Sequence, residues 1–309
     1  MKPFRFGIQA SKTADRAGWV ALARQAEALG YSTLTMPDHF TDQLAPVPAL
    51  MAAADATERL RVGALVWDND YKHPVVLAKE LATIDLLSDG RLEVGIGAGW
   101  MITDYEQAGL PYDSPKVRID RFVEGIRVLK GAFSEGPFSF AGEHYTITGY
   151  DGLPLPVQRP WPPFLIGGGG KRVLSIAARE ADIVGINGNM APGAVGPAVL
   201  GSMTADGVDE KIGYVRDAAG DRFDAIELNV RVFMVNFTDQ RGTAMDAIGG
   251  AIGFDRAMIE QTPFALVGTP AQMVDDLRAR RERWGFSYVI VGQEDVEQFA
   301  PVVAELAGT

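Results

Sequence analysis

Leu92-Glu93-Val94-Gly95-Ile96-Gly97-Ala98-Gly99-Trp100 is a short apolar run that ends in alternating glycines and a tryptophan. A run of this length reads as a buried strand, and glycine near its end lets backbone lie against a flat ligand with no side chain between. Residues 61–66 have the same buried-strand character. Between the two runs, Pro74 opens a helix whose Leu77, Leu81, Ile84 and Leu87 recur at helical spacing. Ser88-Asp89-Gly90 stops that helix, with Gly90 suited to the left-handed conformation after a C-terminus. Strand, helix and strand within about 35 residues make one βαβ unit with parallel strands.

Working outward, the same alternation runs almost end to end. Residues 4–8, 32–36, 163–166, 182–186, 226–237 and 287–291 read as further strands. Residues 16–29, 116–133, 171–179, 208–219 and 270–284 read as helices, with helical segments at 243–261 and a closing helix from 296. Thr269-Pro270-Ala271-Gln272 is a capping box with proline at the first helical position. Residues 139–159, rich in Gly, Pro and Tyr, read as an excursion with a short hairpin, and a Gly/Pro-rich loop starts at Asn187. Eight strands, each followed by helical material and with no composition break, predict a (β/α)8 TIM barrel spanning residues 1–309 as one domain. An open dinucleotide-binding sheet would carry GxGxxG, but Trp100 stands where the third glycine after Gly95 and Gly97 belongs, and Arg172 does so after Gly167 and Gly169. Gly170-Lys171 fails as a P-loop because Leu165 and Arg172 occupy its other defining positions.

Composition narrows the function. The chain has no cysteine, which excludes disulfides, thiolate nucleophiles and cysteine-held metals. The net charge of −11, with no basic block, argues against nucleic acid or an anionic membrane as partner. No apolar run reaches the ~18 residues of a membrane span, and the N-terminus moves straight into a strand, so a cytoplasmic address is the expectation. The three histidines form no visible metal cluster.

Candidate chemistry collects at strand ends, where barrels build their sites. Gly167, Gly168, Gly169 and Gly170 lie between a strand and the helix opening at Lys171, so bare amides at a helix N-terminus offer an anion site, phosphate above all. Lys171 and Arg172 add positive charge. His39, after the second strand, is suited to donate to a ligand oxygen or exchange a proton, with Asp38 orienting it or accepting from a ring N–H. Asn69 is placed to hydrogen-bond a ligand edge, while Asp70 and His73 are candidate caps for the helix that follows. His144 reads as surface.

At this point several stretches carry a resemblance in their order and strand context. They are Gly30-Tyr31 before Pro37-Asp38-His39-Phe40, then Lys72-His73-Pro74, Leu77-Ala78-Lys79-Glu80 and Ala82-Thr83-Ile84-Asp85. Leu87-Ser88-Asp89-Gly90-Arg91, Gly95-Ile96-Gly97-Ala98-Gly99-Trp100, Ile166-Gly167-Gly168-Gly169-Gly170 and Val267-Gly268-Thr269-Pro270 complete the set. The chain resembles the luciferase-like monooxygenase superfamily, and in particular the branch that uses the deazaflavin coenzyme F420. The resemblance implies a flavin or deazaflavin on the carboxyl-terminal face of the barrel. It also implies a non-proline cis peptide at the end of the third strand, at Leu65-Val66, propping the ring. Asp38 and His39 would contact the ring, the glycine run would hold the phosphate, and Asn69, Gly99, Lys171 and Asn187 are counted with the cofactor site. Trp67, Trp100, Tyr105 and Met190 are the candidate substrate walls, which points to a largely apolar or conjugated small molecule.

Two departures matter. The sugar-phosphate dehydrogenases of this branch carry a glutamate acid where Trp100 stands and a tryptophan where Thr41-Asp42-Gln43 follows the Asp-His pair, which argues against sugar-phosphate oxidation. The expected activity is hydride exchange between C5 of coenzyme F420 and an organic substrate. An FMN-dependent monooxygenase is the alternative, a non-catalytic deazaflavin-binding protein a third reading, and a homodimer the expected assembly.

Overall fold

Strands form where a run is apolar on both faces, because a barrel strand meets helices outside and packed side chains inside. In the computed structural model, which describes residues 1–309, the barrel strands are β1 (Arg5–Gln9), β2 (Thr33–Met36), β3 (Arg61–Ala64), β4 (Leu92–Gly97), β5 (Phe164–Gly168), β6 (Ile183–Ile186), β7 (Glu227–Arg231) and β8 (Phe286–Gly292). Neighbours are parallel throughout, in the order β3, β2, β1, β8, β7, β6, β5, β4. The ring closes between β3 and β4, with Val62 opposite Leu92 and Gly63 opposite Glu93. This is the (β/α)8 barrel that the alternation predicts.

The helices are α1 (Arg16–Ala28), α2 (Pro46–Asp55), α3 (Pro74–Leu87), α4 (Ile102–Ala108), α5 (Pro115–Ala132), α6 (Lys171–Glu180), α7 (Pro197–Gly201), α8 (Ala205–Ala219), α9 (Arg241–Ile252), α10 (Arg256–Gln261), α11 (Pro270–Trp284) and α12 (Ala300–Leu306). Side-chain caps make two of the helix starts legible. At α11 the Thr269 hydroxyl accepts from the Gln272 N–H at 3.3 Å and the Gln272 side chain accepts from the Thr269 N–H at 2.9 Å, as the capping box requires. His73 caps α3, accepting from the Val75 N–H at 3.2 Å. Asp70 does not cap it and instead pairs with Arg121 on α5. Helices α2, α4 and α7 begin without a side-chain cap, and all three escape the sequence reading.

The run at 226–237 is not one strand. Val232 still donates to the Ile290 carbonyl of the barrel, but Phe233 already donates to Phe264, and Met234–Phe237 pairs with Ala265–Gly268 outside the ring. The excursion contains the expected hairpin, Phe138–Ala141 against Thr146–Tyr150.

Alternation along each strand divides the core. Phe164 and Ile166 face outward into the layer between strands and helices, while Leu165 joins Ile183, Tyr288 and Ile290 in a separate cluster within the barrel. Leu65 and Val66 pack on that cluster. At the amino end of the barrel a charged layer replaces it. Arg5 grips Glu227 at 2.8 and 2.6 Å and Glu93 at 2.6 Å, Arg61 meets Glu93 at 2.9 Å, and the Tyr288 ring lies 3.5 Å under the Arg5 guanidinium. Glu93 is 4% exposed, so removing one partner leaves a buried carboxylate half compensated. Arg5→Ala is expected to cost about 3–5 kcal/mol, read as a lowered denaturant midpoint.

Candidate active site

The glycines of β4 do two different jobs. A Cβ on Gly95 would collide with the Ala64 carbonyl oxygen, and one on Gly63 with that of Glu93, so these two let β3 and β4 approach at the barrel seam. Gly95 therefore serves strand packing and not a ligand. Gly97 and Gly99 do reach the cleft at the carboxyl end of the barrel. Gly99 has φ +71°, and a side chain there would strike the Tyr105 hydroxyl.

That cleft encloses about 410 Å³, within the usual size range of small-molecule sites. Asp38 and His39 line it beyond β2, Leu65 and Val66 beyond β3, Gly99 and Trp100 beyond β4. Gly167 and Gly168 line it at the end of β5, Gly169, Gly170 and Lys171 just beyond, and Asn187 and Met190 beyond β6. The Leu65–Val66 peptide is cis, at the position the resemblance implies, and the Leu65 carbonyl accepts from Gln9 Nε2 at 3.1 Å.

Three predicted residues are not brought to the cleft. Trp67 is 1% exposed within the outer core, because the residue after Val66 on an extended backbone points to the opposite face. Asn69, 2% exposed, turns toward Gly125 of α5 and donates to the Tyr145 hydroxyl at 3.2 Å. Tyr105 is fully buried on α4, with its hydroxyl against Asp68 and Asp70. Of the proposed substrate walls, Trp100 and Met190 remain. Trp100 stands edge-on to the His39 ring at 5.7 Å between centroids.

The partner of His39 is also different from the expected one. Its Nδ1 lies 2.6 Å from Asp104 Oδ2, and Asp104 is fully buried, also accepting from the Phe40 N–H at 3.2 Å and the Tyr71 hydroxyl at 2.8 Å. Asp38 turns instead to the Asp68 N–H at 3.2 Å. Burial pushes the Asp38 carboxyl above the usual carboxylate range, and the Asp68 N–H, Lys72 and His39 only partly offset this. A buried carboxylate on Nδ1 selects the tautomer with hydrogen there, which leaves Nε2 as the free ring nitrogen of a side chain that lines the cleft.

The glycine run ends at Gly170, which caps α6 with no side-chain hydrogen bond, so the first amides of that helix are left for another acceptor. A Cβ on Gly167 or Gly170 would meet open space, its nearest neighbours 3.9 and 3.7 Å away. A Cβ on Gly169 would overlap the Gly188 carbonyl, so that glycine is needed for the loop itself. Lys171 Nζ sits 5.3 Å from the Tyr214 ring, and Arg172 pairs with Asp120 on α5.

Sequence reading misses Asp68, Arg118, Asn229 and Arg231, all in the cleft wall, and Asp104 behind it. Asn229 and Arg231 sit on β7 near its carboxyl end, a position that marks barrel site residues, so they were findable. Arg231 is held by Gln9, with Nε donating to Oε1 at 3.0 Å. No helix is long and apolar enough to cross a membrane.

Comparison with known proteins agrees with this architecture. The model of the luciferase-like monooxygenase family matches residues 2–205. An FMNH(2)-dependent dimethylsulfone monooxygenase of Pseudomonas putida is 29% identical over 240 residues, 74% of this chain and 62% of that protein. An F420-dependent glucose-6-phosphate dehydrogenase of Kineococcus radiotolerans is 30% identical over 193 residues, 59% of this chain and 56% of that one. The chain thus spans roughly three fifths of the length of the curated relatives it matches. Coenzyme F420-dependent tetrahydromethanopterin reductase of Methanopyrus kandleri superposes with a TM-score of 0.79 over 99% of this chain and 98% of its own, at 17% identity, which is a likeness of fold. With the family model covering well over half its length, on a barrel of the matching architecture, the chain belongs to the luciferase-like monooxygenase family.

Proposed function

We propose that the protein is a coenzyme F420-dependent oxidoreductase that exchanges a hydride with a small, largely apolar or conjugated organic molecule. The observation that carries this reading is the His39–Asp104 pair at the cleft wall, 2.6 Å apart, beside a surface of glycine backbone and the Leu65 and Val66 side chains. The residues present fit such a cofactor. The cradle at Gly167 and Gly170 is one a Cβ would fill, and the uncapped start of α6 offers amides to a phosphate.

When bound, the deazaflavin supplies or accepts the hydride, and the rest is the work of the chain. The amides of the glycine run and of the first turn of α6 would bind phosphate, and Lys171 would add charge at the same rim. Leu65 and Val66 would support one face of the ring. His39, its Nδ1 held by Asp104, would offer Nε2 to a ring or substrate oxygen and give or take the proton that accompanies hydride transfer. Trp100 and Met190 would exclude water from the reacting face.

A second reading, an FMN-dependent monooxygenase, is favoured by the similarity to the dimethylsulfone monooxygenase, which extends over more of the chain than that to the sugar-phosphate dehydrogenase. Parallel titrations with the two cofactors separate them. Coenzyme F420 is expected to bind with a micromolar or lower Kd, about −8 kcal/mol, and FMN much more weakly. Tight FMN binding with oxygen-dependent substrate oxidation, and no response to coenzyme F420, would overturn the proposal.

A further inference from the structure

Asp68 follows the Leu65–Val66 turn and Trp67, lines the cleft and is 7% exposed. Behind it, the Tyr105 hydroxyl of α4 lies 3.3 and 3.2 Å from Asp68 Oδ1 and Oδ2 and 3.1 Å from Asp70 Oδ2. Three carboxyl oxygens thus surround one phenolic oxygen that owns a single hydrogen. With both carboxyls ionised, that hydrogen could serve only one of them, and two buried anions would share it. A second proton removes the conflict: one carboxyl then donates to the phenolic oxygen while the phenol donates to the other.

Arg121 decides which carboxyl takes the proton. Its Nε and Nη2 donate to Asp70 Oδ1 and Oδ2 at 2.7 and 2.9 Å, a two-point ion pair that keeps Asp70 charged. Asp68 has no cation against it. Its only other partner is the Asp70 N–H, which donates to Oδ1 at 2.8 Å. The remaining ionisable neighbours of the unit are Asp38 and His39 at the end of β2, Tyr71 on the same loop, Asp104 on α4, which is engaged by His39 and Tyr71, and Arg118 on α5, whose positive charge acts on Tyr105.

We propose that Asp68 holds a proton in the cleft wall at neutral pH, in a shared Asp68–Tyr105–Asp70 unit, as a second proton-holding group of the site beside His39. Its use in turnover rests on the hydride-transfer reading above; its protonation does not. The electrostatics point the same way, since burial, with the negative charges of Asp70 and Asp38, pushes this carboxyl up to about 7 against the pull of the Asp70 N–H and the Tyr105 hydroxyl. Asp70 and Tyr105 also line a second cavity of about 270 Å³, so the unit borders both cavities.

The test is an infrared pH titration of the full-length protein without cofactor, following the carbonyl stretch of protonated carboxyls. A carboxyl titrating between pH 6 and 8, absent in Asp68→Asn, is the expected result. Tyr105→Phe removes the phenolic oxygen that joins the two carboxyls, so the midpoint should move by about half a unit or more. Thermal unfolding supplies a second readout. A carboxyl whose folded pKa is raised stabilises the fold fully below its unfolded value near 4 and loses that contribution as pH rises through about 7. Asp68→Asn mimics the neutral form, so its Tm relative to wild type should climb from pH 4 to 8. No titrating carboxyl in that window that Asp68→Asn removes, or an Asp68→Asn Tm difference that stays flat with pH, overturns the protonation. An unmoved midpoint in Tyr105→Phe overturns the sharing. Neither result touches the cofactor titrations, which test the proposed function separately.

Discussion

His39→Ala is expected to lower the rate of hydride transfer about 10²- to 10⁴-fold, the range that a positioned acid or base contributes. The size of the effect follows from how completely the ring is placed. Asp104 holds Nδ1 from inside, and Asp104 is itself fixed by the Phe40 N–H and the Tyr71 hydroxyl, so the imidazole has one tautomer and one orientation to present. Asp104→Asn should act in the same direction without touching the ligand, because an amide can donate to Nδ1 and drive the hydrogen to the other nitrogen. Rapid-mixing measurements of the cofactor absorbance, with circular dichroism to confirm the fold, read both variants. A positioning role for Asp104 predicts a changed pH profile of the rate and not only a lower plateau. Wild-type rates and cofactor affinity in a folded His39→Ala protein would leave His39 a structural residue.

Gly167→Val is expected to weaken cofactor binding about 100-fold or more, equivalent to roughly 3 kcal/mol, with little change in Tm. Gly167 lies on the same strand face as Leu165, so a side chain added there rises from the barrel interior into the cleft mouth beside Val66, where its Cβ meets nothing closer than 3.9 Å and its methyl groups would occupy the space of a bound ring or phosphate. Gly170→Val tests the cap of α6 in the same way. Gly169 is the wrong position for this experiment, since a side chain there would displace the Gly188 and Asn187 backbone and confound binding with loop damage. Gly213→Ala on α8, where added volume also meets nothing, is the control and should leave affinity unchanged. Unaltered affinity in folded Gly167→Val and Gly170→Val would place the cofactor elsewhere in the barrel.

Features that depend on neighbours along the chain are legible without the fold. The capping box at Thr269 and Gln272, the proline openings of α3 and α11, the stop at Gly90 and the apolar strand runs other than 226–237 all act through backbone conformation within a few residues, and the structure has each of them in its expected place. Glycines between a strand and a helix likewise marked the cleft wall correctly, because strand ends and helix starts are local events. Long-range packing sets the rest: Gly95 serves the barrel seam, the run at 226–237 leaves the barrel after Val232, and Trp67, Asn69 and Tyr105 are withdrawn from the cleft. The same is true of the ion pairs. Sequence proximity favours Asp38 as the partner of His39, yet Asp38 is taken up by the Asp68 N–H, and Asp104, 65 residues away, comes in from α4 to meet the ring. Local preferences fix which residues form each strand and helix, but the direction in which a side chain finds its partner is set by closure of the ring, which is a property of the whole chain.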